Sequence, residues 1–474
     1  MKRFILIVFV VFNSCYSPIE NKTPNVIIIM TDDQGFGDLG INQNPNIITP
    51  NIDKFANKSI QFNNFFVSPV CAPTRSSLMT GRYSLRTGVR DTYNGGAIMS
   101  NNETTIAEIL KEANYATGIF GKWHLGDNYP FRPSEQGFDE SLIHLAGGIG
   151  QVGDFTNYFK GDTSYFDPIL WKNNKQNQYE GYCSDIFAEN AIEFIEKNKN
   201  NSFFCYLSFN APHTPLQVPE KYYNMYKDLD PELGFNDDLS DFRMNEKDKK
   251  DARKIYGMVT NIDDNVGKVI NKLKELKIEE ETIIIFMTDN GPQQIRYNSS
   301  MKGRKGTVYN GGIRVPFYIQ YSEKFKESKV INKMSAHIDV LPTILELCNL
   351  NVPNDRKIDG QSLVPLINSK STNDRFLFSY WTRRFPEKYI NMSIQNDNYK
   401  LVGNNDFDSK IEEFELYDLV EDPNENNNII SQNIETAISF KKEMDNSIDD
   451  LLKSKNIKNP PRIIIGQNLK ILQF

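Results

Sequence analysis

Residues 25–33 read NVIIIMTDD and residues 282–290 read TIIIFMTDN, so one pattern occurs twice in the chain. Each segment is a run of mostly β-branched apolar residues without polar alternation, which is typical of a strand buried on both faces of a parallel sheet. Each run ends in carboxylate or amide side chains. Because open α/β sheets bind ligands at the carboxyl ends of their strands, we expect these side chains to meet at one site.

Between these two segments, predicted helices alternate with predicted strands. Apolar spacing predicts helices over residues 106–110, 183–197 and 256–276, and strands are expected at 117–120 and 202–210. This alternation indicates an α/β fold in which a large mixed, mostly parallel sheet is sandwiched between helices.

The rest of the chain predicts a surface excursion and a second, smaller unit. Residues 225–253 are rich in charged and amide side chains and are expected to form a solvated excursion on the surface. After about residue 365 the pattern changes to short strands and one late helix near 434–453. We therefore predict a first domain over 24–365 and a C-terminal α+β domain with an antiparallel sheet over 366–474.

Composition narrows the class of partner. The chain has 474 residues, and its net charge of −7 is spread without a basic stripe, so nucleic acid is not an expected partner. Anionic ligands must therefore be held by local positive groups.

The first twenty residues, MKRFILIVFVVFNSCYSPIE, have two basic residues followed by a short apolar run. This pattern is typical of a signal peptide over 1–20 and predicts export. The Ser14-Cys15 pair also resembles a bacterial lipoprotein cleavage site, at which Cys15 would receive a lipid anchor. The alternative is an ordinary signal that is cleaved with Cys15 discarded. We expect a periplasmic, secreted or lipid-anchored protein at the bacterial surface.

The remaining cysteines are too widely spaced for a disulfide framework or a zinc site. Cys205 and Cys348 lie in apolar stretches and are expected to be buried small hydrophobic residues. Cys71 instead lies in SPVCAPTR, where it begins a predicted helix. Free N–H groups and the positive end of the helix dipole attract anions there, and Arg75 lies one turn along.

The strand ends supply three carboxylates and one amide: Asp32, Asp33, Asp289 and Asn290. Crowding these groups without a counter-charge is costly, so a hard cation is the natural occupant. All-oxygen ligation favours Ca²⁺, with Mg²⁺ as the second choice. The alternative is that the aspartates are only helix caps or turn formers.

Six motifs in one order carry a resemblance to the type I sulfatases of the alkaline-phosphatase superfamily. They are IIIMTDDQGFGDLG (27–40), CAPTRSSLMTGRY (71–83), GKWHLG (121–126), APHTP (211–215), MTDNG (287–291) and KGTVYNGGIRVP (305–316). The resemblance covers about residues 24–345, and ELYDLVEDPNE at 415–425 also resembles the C-terminal region of the family. It implies an alkaline-phosphatase-like fold and a sulfuric ester hydrolase.

The resemblance also implies what becomes of Cys71. In that family a maturation enzyme oxidises this cysteine to formylglycine, whose aldehyde is hydrated to a geminal diol. One hydroxyl attacks the sulfate ester, and the other later loses its proton so that C–O cleavage expels sulfate. Residue 71 would therefore belong to the Ca²⁺ ligands together with the four strand-end side chains.

Further roles follow from the same resemblance. Arg75 and Lys122 would stabilise the diol, and His124 would take the proton that triggers sulfate release. His213 and Lys305 would contact the sulfate and the leaving oxygen, with His213 as general acid.

The resemblance leaves two points open: which lysine enters the site, and what replaces a family glutamate at position 310. Lys302 lies close to Lys305 in MKGRKG and is the reserve candidate. The family often has Glu-Gly-Gly-x-Arg where this chain has Asn310 to Arg314, which leaves open how Arg314 or a nearby lysine is held. His337 has no motif support and is expected to be structural.

The expected substrate is a sulfated carbohydrate, either an oligosaccharide or a polysaccharide. Aromatic faces stack on sugars and arginines bind acidic groups, so Trp381, Arg383, Arg384, Tyr158 and the 146–153 loop are candidate contacts. The alternative is that Trp381 is core and the arginines are solvated. The sequence leaves open the particular sugar and the oligomeric state.

Two other functions fit parts of this pattern. A phosphomonoester or phosphonate hydrolase could use the same formylglycine architecture, and turnover of aryl sulfate against aryl phosphate separates the two. A non-catalytic glycan-binding lipoprotein would have gaps among the motif residues, and this chain has none.

Overall fold

A computed structural model describes residues 23–93, 95–235, 243–370, 372, 374–383 and 385–454, together with the backbone of two short strands near the end. The predicted signal peptide at 1–20, Cys15 and Arg384 lie outside the described residues. Within these ranges, no helix combines the length and the apolar character needed to span a bilayer.

The strands are numbered in chain order. They are β1 (Asn25–Thr31), β2 (Ile60–Phe62), β3 (Phe65–Phe66), β4 (Ala116–Lys122), β5 (Glu140–His144), β6 (Ile169–Lys172), β7 (Lys175–Gln178), β8 (Phe203–Ser208), β9 (Thr282–Thr288), β10 (Phe317–Gln320), β11 (Lys329–Ile331), β12 (Ser335–Ala336), β13 (Leu377–Tyr380), β14 (Met392–Gln395), β15 (Tyr399–Gly403), β16 (Glu415–Asp418), β17 (Ile463–Ile465) and β18 (Lys470–Leu472).

The α-helices are numbered in the same way. They are α1 (Pro50–Asn57), α2 (Cys71–Thr80), α3 (Ser84–Thr87), α4 (Ile106–Glu112), α5 (Cys183–Asn198), α6 (Glu220–Tyr223), α7 (Glu246–Glu275), α8 (Asn310–Ile313), α9 (Val340–Leu347), α10 (Val364–Ile367) and α11 (Ile434–Leu452).

The main sheet has ten strands in the order β11-β2-β10-β9-β1-β8-β4-β5-β6-β7. The five central strands, from β9 to β5, are parallel, whereas β10, β6 and β7 pair antiparallel to their neighbours. The prediction of a mixed sheet with a parallel centre is confirmed. In β1 and β9, Thr31 is the register partner of Thr288, so the residues after these two strands lie side by side.

Both faces of the sheet are covered by helices. Val26, Ile28 and Met30 of β1 pack into one core cluster with residues of α2, α4 and α9. Ile27 and Ile29 pack into a second cluster with residues of α1, α5 and α7. Burial on both faces explains why the sequence of β1 does not alternate between apolar and polar residues.

The long helix predicted from Tyr256 begins earlier, inside the 225–253 segment. Helix α7 begins at Glu246, where Asn245 and Asp248 form a capping box, so the helix starts ten residues before the predicted Tyr256. Tyr226 is also buried, against Tyr256. The last charged residues of this segment therefore lie on the first turns of α7.

The C-terminal region forms the predicted antiparallel sheet. Its strand order is β13-β14-β15-β16, and every pairing is antiparallel. Helix α11 covers one face through Phe440, Met444 and Ile448, which pack with Met392 and Leu401 of the sheet. The boundary near residue 365 stays a prediction.

Candidate active site

The four acidic and amide side chains after β1 and β9 form the floor of one buried site. Asp32, Asp33, Asp289 and Asn290 are all inaccessible to solvent. The Asp33 N–H donates to Asp289 Oδ1 at 3.2 Å, and Asn290 Nδ2 donates to Asp33 Oδ1 at 2.8 Å. The sequence prediction that the two strand ends meet is therefore confirmed.

Each carboxylate of the floor has a cationic partner from a different part of the chain. Lys122 Nζ lies 2.6 Å from Asp32 Oδ2, and Lys305 Nζ lies 2.5 Å from Asp33 Oδ1. Arg75 donates from Nη2 to Asp289 Oδ2 at 2.7 Å. Arg75 Nε also donates to Asp289 Oδ2, and Nη1 donates to Lys122 O and Ser208 Oγ, so the guanidinium is held firmly against the floor.

Several floor oxygens have no hydrogen-bond partner among the described residues. They are Asp32 Oδ1, Asp33 Oδ2 and Asn290 Oδ1. Leaving such atoms buried and unpaired costs about 1–3 kcal/mol each. Ligand atoms of Asp32, Cys71 and Asp289 all lie within 4.8 Å of one another, as do those of Asp32, Asp33 and His213. Buried unpaired oxygens at this spacing fit a bound metal ion.

Cys71 faces this floor from the amino end of α2. Helix α2 begins at Cys71, as predicted, and its thiol Sγ lies 3.4 Å from His124 Nδ1. Burial raises the pKa of the Cys71 thiol, which is therefore protonated at neutral pH.

His124 is oriented by the loop beside it. Its Nε2 lies 2.7 Å from the carbonyl oxygen of Thr92, which assigns the ring proton to Nε2 and leaves Nδ1 as an acceptor toward Cys71. Burial, reinforced by Lys122, lowers the pKa of His124 well below its ordinary value. The backbone of His124 is left-handed, with φ of 59°, a strained conformation that clusters at functional sites.

His213 lies at the opposite edge of the floor. Its Nε2 is 3.7 Å from Asp33 Oδ2, and its Nδ1 donates to Thr214 O at 2.7 Å. Burial lowers the pKa of His213 to about 3, although Asp33 acts in the opposite direction. The imidazole is therefore neutral until an anion enters the site.

The charges of the floor shift one another. Burial acts to raise the pKa of Asp33, but Lys305 and His213 bring it below its ordinary value. Burial and the neighbouring Asp32 raise the pKa of Asp289 to about 6. The carboxylates of the floor are therefore stabilised unequally: Lys305 and His213 favour the charged form of Asp33, whereas burial and Asp32 disfavour that of Asp289.

The two open positions in the 302–314 segment are resolved by contacts. Lys305 reaches the floor, whereas Lys302 Nζ lies 3.1 Å from Glu415 Oε2 and 2.6 Å from Tyr417 OH in the C-terminal sheet. Arg314 donates to Asn63 O and is stacked on Phe36. Lys302 therefore lies outside the site, and no carboxylate at position 310 is needed to hold Arg314.

Asn310 contacts a buried ion pair from the C-terminal region. Lys400 Nζ lies 2.6 Å from Glu425 Oε1, and both side chains are inaccessible to solvent. Lys400 also donates to Asn310 Oδ1 at 3.0 Å, and Glu425 Oε2 accepts the Asn310 N–H at 2.6 Å. Glu425, a residue of the ELYDLVEDPNE motif, thus supplies a carboxylate beside the position at which this chain has Asn310.

The predicted sugar contacts have a mixed outcome. Trp381 is half-buried, donates to Asp91 Oδ1 at 3.2 Å, and lies against Gly306, the neighbour of Lys305. Arg383 is half-exposed and lies over the ring of Trp381. Trp381 is therefore not in the C-terminal core but at the junction with the main domain. Arg384 lies outside the described residues.

Sequence reasoning missed a buried ion pair that holds the turn after β1. Arg296 donates from Nε and Nη2 to the two oxygens of Asp38, at 2.7 and 2.6 Å, and from Nη2 to Asp33 O at 2.8 Å. Asp38 lies within the quoted motif IIIMTDDQGFGDLG, but no spacing rule connects it to residue 296. Only the folded chain reveals this support of Asp33.

Two family models match the chain. The model described as Sulfatase matches residues 24–350, and the model described as N-sulphoglucosamine sulphohydrolase, C-terminal, matches residues 304–454.

The chain also resembles named proteins and solved structures. It is 30% identical over 391 residues to N-acetylgalactosamine-6-sulfatase of Canis lupus familiaris, covering 76% of this chain and 69% of that protein. It is 27% identical to human steryl-sulfatase, covering 75% of this chain and 72% of that protein. The structure of Ps i-CgsB in complex with k-i-k-neocarrahexaose superimposes with a TM-score of 0.78 and 28% identity, covering 92% of this chain and 94% of that one.

The Sulfatase model covers well over half of the chain. Residues from all six motifs of the sequence analysis meet in one buried site. The chain therefore belongs to the sulfatase family and is a sulfuric ester hydrolase.

Proposed function

We propose that this protein removes sulfate from a sulfated carbohydrate, with Cys71 matured to formylglycine beside a bound Ca²⁺. One observation carries the proposal: ligand atoms of Asp32, Asp289 and Cys71, at the amino end of α2, lie within 4.8 Å of one another in a buried floor. Oxygens of Asp32, Asp33 and Asn290 in the same floor have no hydrogen-bond partner in the described chain.

Asp32, Asp33, Asp289 and Asn290 would hold the cation, with residue 71 completing the set. The donor atoms are carboxylate and amide oxygens at the ends of two different strands, an irregular cage that suits Ca²⁺ better than Mg²⁺. A bound divalent cation would screen the negative charge of a sulfate ester and polarise it. The three carboxylates of the floor are already balanced by Arg75, Lys122 and Lys305. A bound divalent cation would therefore give the site a net positive charge, which favours an anionic substrate.

The environment of Cys71 supports its conversion to formylglycine rather than a role as a thiolate nucleophile. A catalytic thiolate needs a lowered pKa, whereas burial raises the pKa of this thiol. A formylglycine hydrate would supply one hydroxyl for attack and a second whose deprotonation releases sulfate. His124 Nδ1 faces this position as an acceptor and would take that proton.

His213 and Lys305 would act on the leaving group. Both contact Asp33, and both retain some exposure toward the open side of the site. An entering sulfate ester adds negative charge, which raises the pKa of His213 so that its imidazolium can protonate the leaving oxygen. Lys305 would neutralise the sulfate oxygens.

A carbohydrate is the substrate class that the comparisons and the rim support. N-acetylgalactosamine-6-sulfatase bears the name of a sulfated sugar, and the Ps i-CgsB structure contains k-i-k-neocarrahexaose. Arg383 is half-exposed, lies over the rings of Tyr93 and Trp381 and is 3.6 Å from Asp91 Oδ1, and its exposed donors can bind an acidic group of the substrate. We also propose export through residues 1–20, with lipid attachment at Cys15.

The proposal is tested with protein produced together with a formylglycine-forming maturation enzyme and checked by intact mass at residue 71. We expect 4-nitrophenyl sulfate to be hydrolysed at least about 100-fold faster than 4-nitrophenyl phosphate, because the site is built for one divalent cation and a sulfate. The Cys71→Ser variant should retain its thermal transition and lose turnover. Equal turnover by Cys71→Ser, or a preference for the phosphate, contradicts the proposal.

A further inference from the structure

Four large apolar side chains stand in solvent within eight residues of one another. Their exposed fractions are 83% for Val152, 62% for Phe155, 48% for Tyr158 and 89% for Phe159. Single exposed apolar residues are ordinary, but four within one short segment, with two of the rings in contact, are a candidate binding surface. We refer to residues 152–159 as the aromatic rim.

The aromatic rim begins at the active site. Gln151, the residue before Val152, donates from Nε2 to Thr214 O at 2.8 Å and lies 3.5 Å from His213 Nδ1. A Cβ placed on Gly148 would lie only 3.1 Å from the same His213 atom. The segment that leads into the rim therefore packs directly on the proposed general acid.

The rim is held in place by a buried carboxylate. Asp154 accepts hydrogen bonds from Gly150 N at 2.9 Å, Thr156 Oγ1 at 2.6 Å and Asn157 Nδ2 at 3.0 Å. Asn157 is in turn bonded in both directions to the backbone of Ile169, in the main sheet. Asp154 and Asn157 thus present the exposed rings from an ordered support.

The aromatic side chains of the rim pack edge to face and remain about half or more exposed. Phe155 meets Trp171 edge to face at a centroid distance of 6.2 Å, and Tyr158 meets Phe159 edge to face at 5.4 Å. Exposed aromatic faces beside a polar reaction centre suit a ligand that has both a polar group and a flat apolar face. A pyranose ring with its axial C–H bonds offers such a face.

The charge of the rim argues against a membrane surface as its occupant. Residues 150–163 contain one lysine and two aspartates, whereas surfaces that bind anionic lipid carry clusters of lysine and arginine. The apolar residues are also mostly aromatic rather than aliphatic.

We infer that the substrate is an oligosaccharide at least two units long, whose sulfated unit enters the site while an adjacent unit stacks on the aromatic rim. This inference rests on the proposed function. It adds that the protein recognises a sugar beyond the one that carries the scissile sulfate, through Phe155 and Phe159.

The test compares three substrates: 4-nitrophenyl sulfate, sulfated monosaccharides, and hexasaccharides prepared from carrageenan and from sulfated glycosaminoglycans. For the carbohydrate that is turned over, we expect kcat/KM on the hexasaccharide to exceed that on its monosaccharide by at least about tenfold. The double variant Phe155→Ala/Phe159→Ala should lose about tenfold in kcat/KM on the hexasaccharide, mostly through KM, and less than about twofold on 4-nitrophenyl sulfate. Phe407→Ala, a half-exposed phenylalanine of the C-terminal region, is the matched control and should change neither.

A second measurement keeps this inference separate from the catalytic proposal. Binding of the same hexasaccharides to Cys71→Ala protein, followed by calorimetric titration, needs no turnover and should weaken about tenfold in the double rim variant. Loss of all turnover with rim-dependent binding intact contradicts only the catalytic proposal. The inference is overturned by equal kcat/KM on monosaccharide and hexasaccharide, by unchanged hexasaccharide binding in the double variant, or by turnover of the aryl sulfate with none of the sugars. Binding to phospholipid vesicles is measured in parallel. A double variant that is altered only in vesicle binding also overturns the inference.

Discussion

Two clusters of fully buried charge differ in how completely the protein pairs their polar atoms. In the C-terminal cluster, Glu425 Oε1 lies 2.6 Å from Lys400 Nζ, in an ion pair outside hydrogen-bond geometry, and Glu425 Oε2 accepts the Asn310 N–H at 2.6 Å. In the active site, Asp32 and Asp33 each give one oxygen to a lysine. Asp32 Oδ1 has no hydrogen-bond partner in the described chain, and Asp33 Oδ2 has only His213 Nε2 at 3.7 Å. Both oxygens of Glu425 therefore face a close cation or donor of the protein, which makes that cluster complete, whereas the active-site cluster leaves two carboxylate oxygens that a ligand can bind.

Removal of the metal should have the largest effect on activity, because the active-site cluster is the one that needs a ligand to complete it. Prolonged chelation is expected to reduce turnover of 4-nitrophenyl sulfate to background and to lower the melting temperature. A cation present at about 1,000 times its Kd adds about 4 kcal/mol to the free energy of unfolding. Re-addition of Ca²⁺ should restore both properties, and Mg²⁺ should restore them less well.

The Asp32→Asn variant is the control for this effect. It removes one proposed ligand, so its melting temperature should no longer respond to Ca²⁺. Full activity in protein from which all metal has been removed, as measured by elemental analysis, would disprove the cation site.

Breaking the complete cluster should reduce stability rather than abolish chemistry. Glu425→Gln leaves Lys400 buried without a carboxylate, which is expected to cost about 3–5 kcal/mol in the free energy of unfolding, measured with urea. Affinity for Ca²⁺ should change little, because neither residue contacts the floor.

The same cluster offers a rescue experiment. Lys400 Nζ lies 3.0 Å from Asn310 Oδ1, so Asn310→Asp would place a carboxylate at that point. Asn310→Asp alone should destabilise the protein, since two carboxylates then share one lysine. The double variant Asn310→Asp/Glu425→Gln should be more stable than either single variant, and additive losses would refute this description of the pairing.

A smaller effect is expected from His337, a buried histidine whose nitrogens both have partners. Its Nδ1 lies 3.1 Å from Phe66 O, and its Nε2 lies 3.1 Å from Ser68 Oγ. Burial lowers the pKa of His337 to about 3, so the unfolded chain binds the proton first as the pH falls. Between pH 7 and pH 5 this should reduce the free energy of unfolding by about 2 kcal/mol.

The His337→Gln variant should lose this part of the pH dependence while its sulfatase activity changes little. Urea unfolding of both proteins at pH 5, 6 and 7 measures the difference. An equal slope in the two proteins would mean that His337 is not held neutral in the folded state.

Much of the fold could be predicted because its signals are local. The runs at 25–31 and 282–288 are apolar throughout and could only be buried strands. The start of α7 at Glu246 was missed because its first turns are mostly charged and show no clear helical spacing of apolar residues. The capping residues Asn245 and Asp248 could nevertheless be recognised in the sequence. The antiparallel C-terminal sheet followed from short strands separated by turns.

The site was predictable where residues follow a strand end or begin a helix. Asp32, Asp289 and Cys71 meet because parallel register and the start of α2 bring them together. Lys305 was the first choice for the site and Lys302 the reserve, and the structure selects Lys305, which reaches Asp33. The pairing of Arg296 with Asp38 was not predictable, because no spacing rule connects the two residues.

The amino-acid order by itself determined the parallel core, the acidic strand ends and the position of Cys71, because strand burial and helix starts depend on neighbouring residues. The tertiary structure alone decided which lysine faces which carboxylate, which oxygens stay unpaired, and that Gln151, next to the aromatic rim, lies against His213. These features join segments that are distant along the chain, and their distances depend on packing that no local pattern contains.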